Sequence, residues 1–227
     1  MSTLPPLARV DWRPAWRIVS SRFPPVGLFD AIADPGDLEA IYEIEGLTNP
    51  RLRQELGAIS LVAPERRISG PGTTPIMAAF THPNPEGSRF STGDRGVYYA
   101  ARDRETAIRE TVYHRDRFLA RTREPPCRIG MRCYAGDLVA ALHDLRGGWP
   151  ELHDPADYSA SQRAAAAWRA AGSDGVVYDS VRHPGGQCVA VFHPDVLRPV
   201  VQGAHLTYFW NGERITHVSI ADQSLAL

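Results

Sequence analysis

The stretch GVYYAARDRETAIRETVYHRDRFLAR, residues 96–121, decides the fold class. Its opening, Gly96 to Ala101, is a brief and almost wholly apolar run of strand type. Asp103 then supplies a cap, and Ile108, Val112, Arg115 and Leu119 recur on one face of the helix it predicts, which runs to Arg121. Beyond that helix Ile129, Met131 and Cys133 alternate with Arg128, Gly130 and Arg132, the period-two mark of a strand with one wet face. A strand, a helix and a strand in so short a length predict an α+β fold, a mixed β core with flanking short helices.

Towards the N-terminus, Ala15 to Ser20 reads as a first strand, after Pro14 and before the Pro24-Pro25 break. Asp34-Pro35 and Asn49-Pro50 each place a cap residue ahead of a first-turn proline. Two short helices follow, carrying Leu38, Ile41, Tyr42 and Glu45 in one and Leu52 and Leu56 in the other. Gly70 to Thr74 reads as loop. Towards the C-terminus, Ser159 and Gln162 have capping-box spacing for an Ala-rich helix ending at Gly172. Val176 to Tyr178 and Cys188 to Phe192 are β-like runs around the loop Ser180 to Gly186, and Leu206 to Trp210 with Arg214 to Val218 flank the hairpin signal Asn211-Gly212. With no internal repeat and no Gly/Ser-rich linker, one domain over residues 1–227 with a C-terminal hairpin is expected.

Charge narrows the function. Lys plus Arg number 25 against 26 Asp plus Glu, a net charge of -1, which excludes the broad basic footprint of a nucleic-acid or anionic-membrane binder. Cys127, Cys133 and Cys188 form no CxxC pair, so neither a disulfide framework nor a structural zinc site is expected, and a reducing cytoplasm fits. Neither a membrane-length apolar window nor a signal-peptide layout is present. His82, His114 and His183 lack ligand spacing, so no metal is expected. The Arg121, Arg123, Arg128 and Arg132 group lacks the interleaved aromatics of a nucleic-acid site and reads as a solvated or partner-facing surface.

The segment from His82 to Glu110 is unusually rich in groups able to do chemistry: Arg89-Phe90-Ser91, Tyr98-Tyr99 and Glu110. Each has an ordinary reading. Arginines are mostly solvated, adjacent strand tyrosines pack on opposite faces, and Glu110 lies about 200° around the helix from Ile108, opposite the apolar stripe. The same wheel sets Thr106, Tyr113 and His114 near Glu110, so this second face lines a cleft or meets water. Ser180 before His183-Pro184-Gly185-Gly186 serves a turn as well as a site edge.

These motifs taken together resemble the RES-domain toxins of RES/Xre toxin-antitoxin systems. The matching elements are Trp16-Arg17-Ile18, Gly87-Ser88-Arg89-Phe90-Ser91, Gly96-Val97-Tyr98-Tyr99-Ala100, Glu105 to Thr111, and Gly175 to Arg182 with Gly185-Gly186. They span about residues 15 to 195, and the segment Glu39 to Pro85 is similar to that of the longer, ParT-like subgroup. The resemblance implies an ADP-ribosyltransferase-like fold and a toxin that consumes NAD as a substrate, with no resident cofactor. It implies an Xre-type antitoxin as partner and a cellular protein, water or phosphate as acceptor. By motif, Arg89, Tyr99 and Glu110 stand as the catalytic trio, and Ser180 as the family serine. Gln187 departs from the family pattern after the glycine pair.

That chemistry suits these groups. Breaking the bond from ribose to a pyridinium releases a neutral ring and leaves oxocarbenium character, so a single carboxylate, here Glu110, suffices to orient the ribose and deprotonate the acceptor. Arg89 and Arg17 fit a diphosphate bidentately, and Ser91 and Ser180 add neutral donors. Tyr98 or Tyr99 offers a ring face to the nicotinamide cation; the resemblance favours Tyr99. No GxGxxG loop is present, so NAD binding would not be Rossmann-like. A ribonuclease toxin, which wants a basic cleft, and a non-enzymatic binding module are the competing classes.

Overall fold

The computed structural model describes residues 4–21, 30 and 57–221. The two helices expected after Asp34 and Asn49 lie outside them. Strand β1, Leu7–Ser20, is about twice as long as expected because Pro14 does not end it: the pairing shifts between Trp12 and Ala15, and a bulge there absorbs the residue that cannot donate. Helix α1, Thr74–Thr81, follows the Gly70 turn. It escapes pattern reading because Ile76 to Phe80 is one unbroken apolar run with no polar residue to mark a face, although only Ile76, Met77 and Phe80 of it are buried. The Asp30 carboxylate accepts from the backbone N–H groups of Thr73 and Thr74 at its start.

Strand β2, Tyr98–Ala101, leads through the Asp103 cap into helix α2, Arg104–Thr122. Strand β3, Cys127–Asp144, runs well past the expected Cys133 because β1 pairs along it from Ser20↔Met131 to Leu7↔His143. Helix α3, Ser159–Ala170, precedes β4, Gly175–Asp179, and β5, Gln187–Val191, and the chain closes with β6, Val201–Trp210, and β7, Ile215–Ala221. The hairpin β6–β7 forms around Asn211, whose side-chain oxygen accepts from the N–H groups of Glu213 and Arg214. The capping box does not form. Ser159 turns back to Asp157, and the Gln162 amide reaches across to the carbonyls of Ser88 and Ser91, tying α3 to the turn that carries Arg89.

The result is a mixed α/β architecture on one seven-stranded sheet, in the order β1-β2-β5-β4-β3-β6-β7, with β1 also paired to β3. Only β3 and β4 run parallel, at His143 and Asp144. Both faces are covered along the central strands, while β7 and one face of β6 are largely exposed. On one, Val10, Trp12, Tyr98, Leu138, Val177 and Val189 pack with α1; on the other, Ile18, Cys133, Tyr178, Cys188 and Ala190 pack with α2 and α3. The loop before β2 must pass very close to α1: a Cβ on Gly96 would stand 2.3 Å from the Phe80 Cα. No described helix is long and apolar enough to cross a membrane.

Candidate active site

Helix α2 begins with a well-made cap. Asp103 accepts from the Thr106 N–H at 2.8 Å and from the Thr106 hydroxyl at 2.7 Å. Because that hydroxyl donates to Asp103, it accepts in turn from His183 Nδ1 at 2.8 Å, which docks the loop between β4 and β5 onto the helix start. The approach is tight enough to require Gly186, where a Cβ would meet the Thr106 hydroxyl at 2.5 Å.

One turn further along α2, Glu110 faces the same loop. The Ser180 hydroxyl receives the N–H groups of Arg182 and His183 at 3.1 and 3.0 Å, so its own proton goes to Glu110 Oε1, 2.6 Å away. The mixed face of α2 therefore meets the β4–β5 loop and not only water, and Glu110 is half-buried. Ser180 acts here on Glu110: its donor capacity is committed to the carboxylate. Cys188, 3.9 Å from the same oxygen, stays a thiol, its pKa pushed well up by burial and by the Glu110 charge, and so is no nucleophile. Burial likewise keeps the Tyr178 phenol protonated beside them.

Strand β2 splits its two tyrosines between the faces. Tyr99 joins the α2 side, where its hydroxyl accepts the Phe90 N–H at 3.0 Å and bonds the Ser88 hydroxyl at 2.8 Å, clamping the residues on either side of Arg89. Tyr98 lies on the α1 side, and its ring is covered by the Arg17 guanidinium at 4.5 Å. Arg17 also donates to the Tyr99 carbonyl and is buried enough for its pKa to fall. The structure thus brings Arg89, Tyr99, Glu110 and Ser180 to one side of the sheet, and does not bring Arg17 or Tyr98 there. The reason is strand parity: residues 16 and 18 flank Arg17 and pack on the α2 side, so Arg17 points to the other.

Ser91 holds its own turn, donating to the Arg95 carbonyl at 2.6 Å and accepting from the Gly93 N–H at 3.1 Å. Arg89, only 7% exposed, donates one nitrogen to both the Leu152 and Asp154 carbonyls at 2.9 Å and lies over the Tyr158 ring at 4.5 Å. It meets the segment 147–158, which crosses this side of the molecule as a strap. Arg182 and Tyr113 both donate to the Pro155 carbonyl and fasten the strap further along. Sequence reading misses the strap, gives Arg182 and Tyr178 no role and sets Tyr113 only on the Glu110 face of the helix, since none of their spacings encodes contact with residues 152–158. Gln187, the departure from the family pattern, accepts from Arg146 at 3.3 Å at the foot of the strap. Among the described residues no group of three or more His, Cys, Asp or Glu side chains is placed to hold a metal ion.

The arrangement offers a fixed carboxylate, a buried guanidinium, and aromatic rings from Tyr99, Tyr178 and Phe90, whose last two meet edge to face at 5.1 Å. Comparison with known proteins agrees with the motif pattern. The uncharacterized protein y4oC of Sinorhizobium fredii is 36% identical over 206 residues, covering 88% of this chain and 84% of its own. Among solved structures, the MbcT-MbcA toxin-antitoxin complex of M. tuberculosis superposes over 86% of each chain with a TM-score of 0.47 and 13% identity. The family model for the RES domain matches residues 64–211, which include Arg89, Tyr99, Glu110 and Ser180, and the chain belongs to the RES-domain family.

Proposed function

We propose that this chain is the toxin of a toxin-antitoxin pair, an NAD-consuming enzyme with an ADP-ribosyltransferase-like catalytic arrangement, working in the cytoplasm and restrained by an Xre-type antitoxin. The observation that carries the reading is the Ser180–Glu110 bond of 2.6 Å: it fixes a single carboxylate on the side of the sheet that also carries Arg89 and Tyr99. In the reaction, the bond from ribose C1′ to the nicotinamide nitrogen breaks, its electron pair stays with the ring, and neutral nicotinamide leaves. Glu110 orients the ribose through a hydroxyl and faces the positive charge that develops at C1′. The acceptor then bonds to C1′, and its proton passes to Glu110. Arg89 is the cation for the diphosphate.

Transfer to a side chain of a cellular protein is the first reading of the acceptor. The strap across Arg89 favours a second, in which a small acceptor, water or phosphate, reaches a covered site and NAD is simply depleted. Purified protein incubated with NAD labelled on the adenylate, with and without cell lysate, tests both. Nicotinamide release with protein-bound label supports transfer; release with label only on small molecules supports depletion. No release by the wild type, or a Glu110→Gln variant that keeps more than about a tenth of the rate when a hundredfold loss is expected, would sink the proposal.

A further inference from the structure

Among the described residues the buried polar atoms without a partner include His153 Nε2, Trp168 Nε1 and Arg182 Nε on this side of the molecule, and of these three His153 Nε2 alone can accept a hydrogen bond. His153 sits in the strap just after a short 3-10 turn at Pro150–Leu152, and its Nδ1 lies 3.0 Å from the Trp149 carbonyl. A carbonyl can only accept, so Nδ1 carries the proton and the neutral ring presents a bare lone pair at Nε2. That nitrogen is buried and bonded to nothing. A buried acceptor left unmet is destabilising, and such groups are few in folded proteins.

Its surroundings are those of the reaction site. The ring lies 6.3 Å from the Tyr178 ring, whose phenol is close enough to Glu110 to feel its charge. Arg89 grips the carbonyls of Leu152 and Asp154, the residues on either side of His153. The strap carrying it leaves β3 through Gly147 and Gly148 and then Trp149, a non-glycine residue in the left-handed region at φ 58°. Strained backbone of this kind is kept where the fold needs a side chain in one place.

We propose that His153 is a substrate-recognition residue whose Nε2 accepts a carboxamide N–H of the nicotinamide ring. The inference rests on the NAD reading above. The carboxamide is the donor of choice because it belongs to the part of the substrate next to the bond that Glu110 serves. Binding shifts the strap enough for the amide to reach Nε2, and the unmet acceptor is met in the complex.

Two substitutions separate recognition from architecture. His153→Asn keeps a donor where Nδ1 stands, and with it the Trp149 bond, but removes the acceptor. His153→Gln keeps an acceptor where Nε2 stands and gives up the Trp149 bond. Each is assayed at pH 8 for release of the base from NAD and from its 3-acetylpyridine analogue, whose ketone has no N–H. In the wild type and the Gln variant NAD is preferred; in the Asn variant the ratio of the two kcat/KM values falls by about tenfold, the worth of one buried hydrogen bond. A ratio unchanged in the Asn variant, or an Asn variant equal to wild type while Gln fails, overturns the inference and leaves His153 a structural residue. A wild type that cleaves neither dinucleotide overturns the NAD reading itself, and the inference with it.

Discussion

Replacing Ser180 by alanine tests what that serine is for. Its hydroxyl is only 8% exposed as part of its residue and makes three bonds: it donates to Glu110 at 2.6 Å and accepts from the N–H groups of Arg182 and His183. A hydrogen bond to a charged group contributes about 1.5–3 kcal/mol and a neutral one about 1 kcal/mol, but water reaches the half-exposed loop and replaces part of the latter. The expected loss of stability is therefore about 2–3 kcal/mol, or a fall in Tm of roughly 5–10 °C for a chain of this size. Without its donor the Glu110 carboxylate is free to rotate, and turnover should fall by about tenfold to a hundredfold, in kcat more than in KM. Thermal unfolding followed by circular dichroism, with nicotinamide release at matched folded concentration, measures both. A Ser180→Ala protein with unchanged Tm and a loss confined to KM would refute the reasoning, because it would make Ser180 a substrate contact.

Arg89→Lys keeps the charge but cannot hold two carbonyls and cover the Tyr158 ring together, so strap residues 149–158 should become more sensitive to limited proteolysis, with activity down at least about tenfold. Wild-type protease resistance and activity would make Arg89 replaceable. Tyr99→Phe keeps the ring and removes the clamp on Ser88 and Phe90; a stability loss of about 1–2 kcal/mol in urea unfolding is expected, with weaker substrate binding. A phenylalanine variant identical to wild type would show that the ring alone matters. His193 is held below its ordinary pKa of 6.5 by burial and by the Arg66 charge, so between that lowered value and 6.5 the unfolded chain binds more protons than the folded one. Stability should rise with pH through this window and decline as pH falls below 6.5, and His193→Gln should flatten that part of the wild-type profile; equal slopes for the two proteins in urea unfolding would contradict it.

Much of this arrangement was legible in the chain, and the reasons differ from part to part. Helix α2 declared itself through the Asp103 cap and a stripe of period 3.6, and the two short strands around Ser180 through apolar runs bounded by turn residues. The sequence leaves Glu110 between water and cleft because a helical wheel says what lies opposite Ile108, not what packs there. Helix α1 is invisible for a different reason: Ile76 to Phe80 is one unbroken apolar run, so although only Ile76, Met77 and Phe80 of it are buried, no polar residue marks a period. Residue chemistry alone groups Arg17 and Tyr98 with the site, and alternation along the strand does not correct it, because alternation identifies a core face only when the other face is wet. Here α1 covers one face and α2 with α3 the other, so β1 and β2 bury residues of both parities.

The strap resolves the tension between the two descriptions of Arg89. A guanidinium suited to phosphate lies 7% exposed and bonded to two backbone carbonyls. Carbonyl oxygens carry partial charge, whereas a phosphate carries a full one, so a diphosphate competing for the same donors wins by the margin between neutral-acceptor and charge-assisted hydrogen bonds. Gly147 and Gly148, where a Cβ would meet nothing within 4 Å, stand in open space at the start of the segment that carries both carbonyls. On the proposed NAD reading, protein carbonyls hold the place of the substrate's phosphates and keep a buried cation satisfied between turnovers. On that reading the same exchange would couple diphosphate binding to movement of His153 and the strap, so that the two halves of the dinucleotide would be recognised in one step.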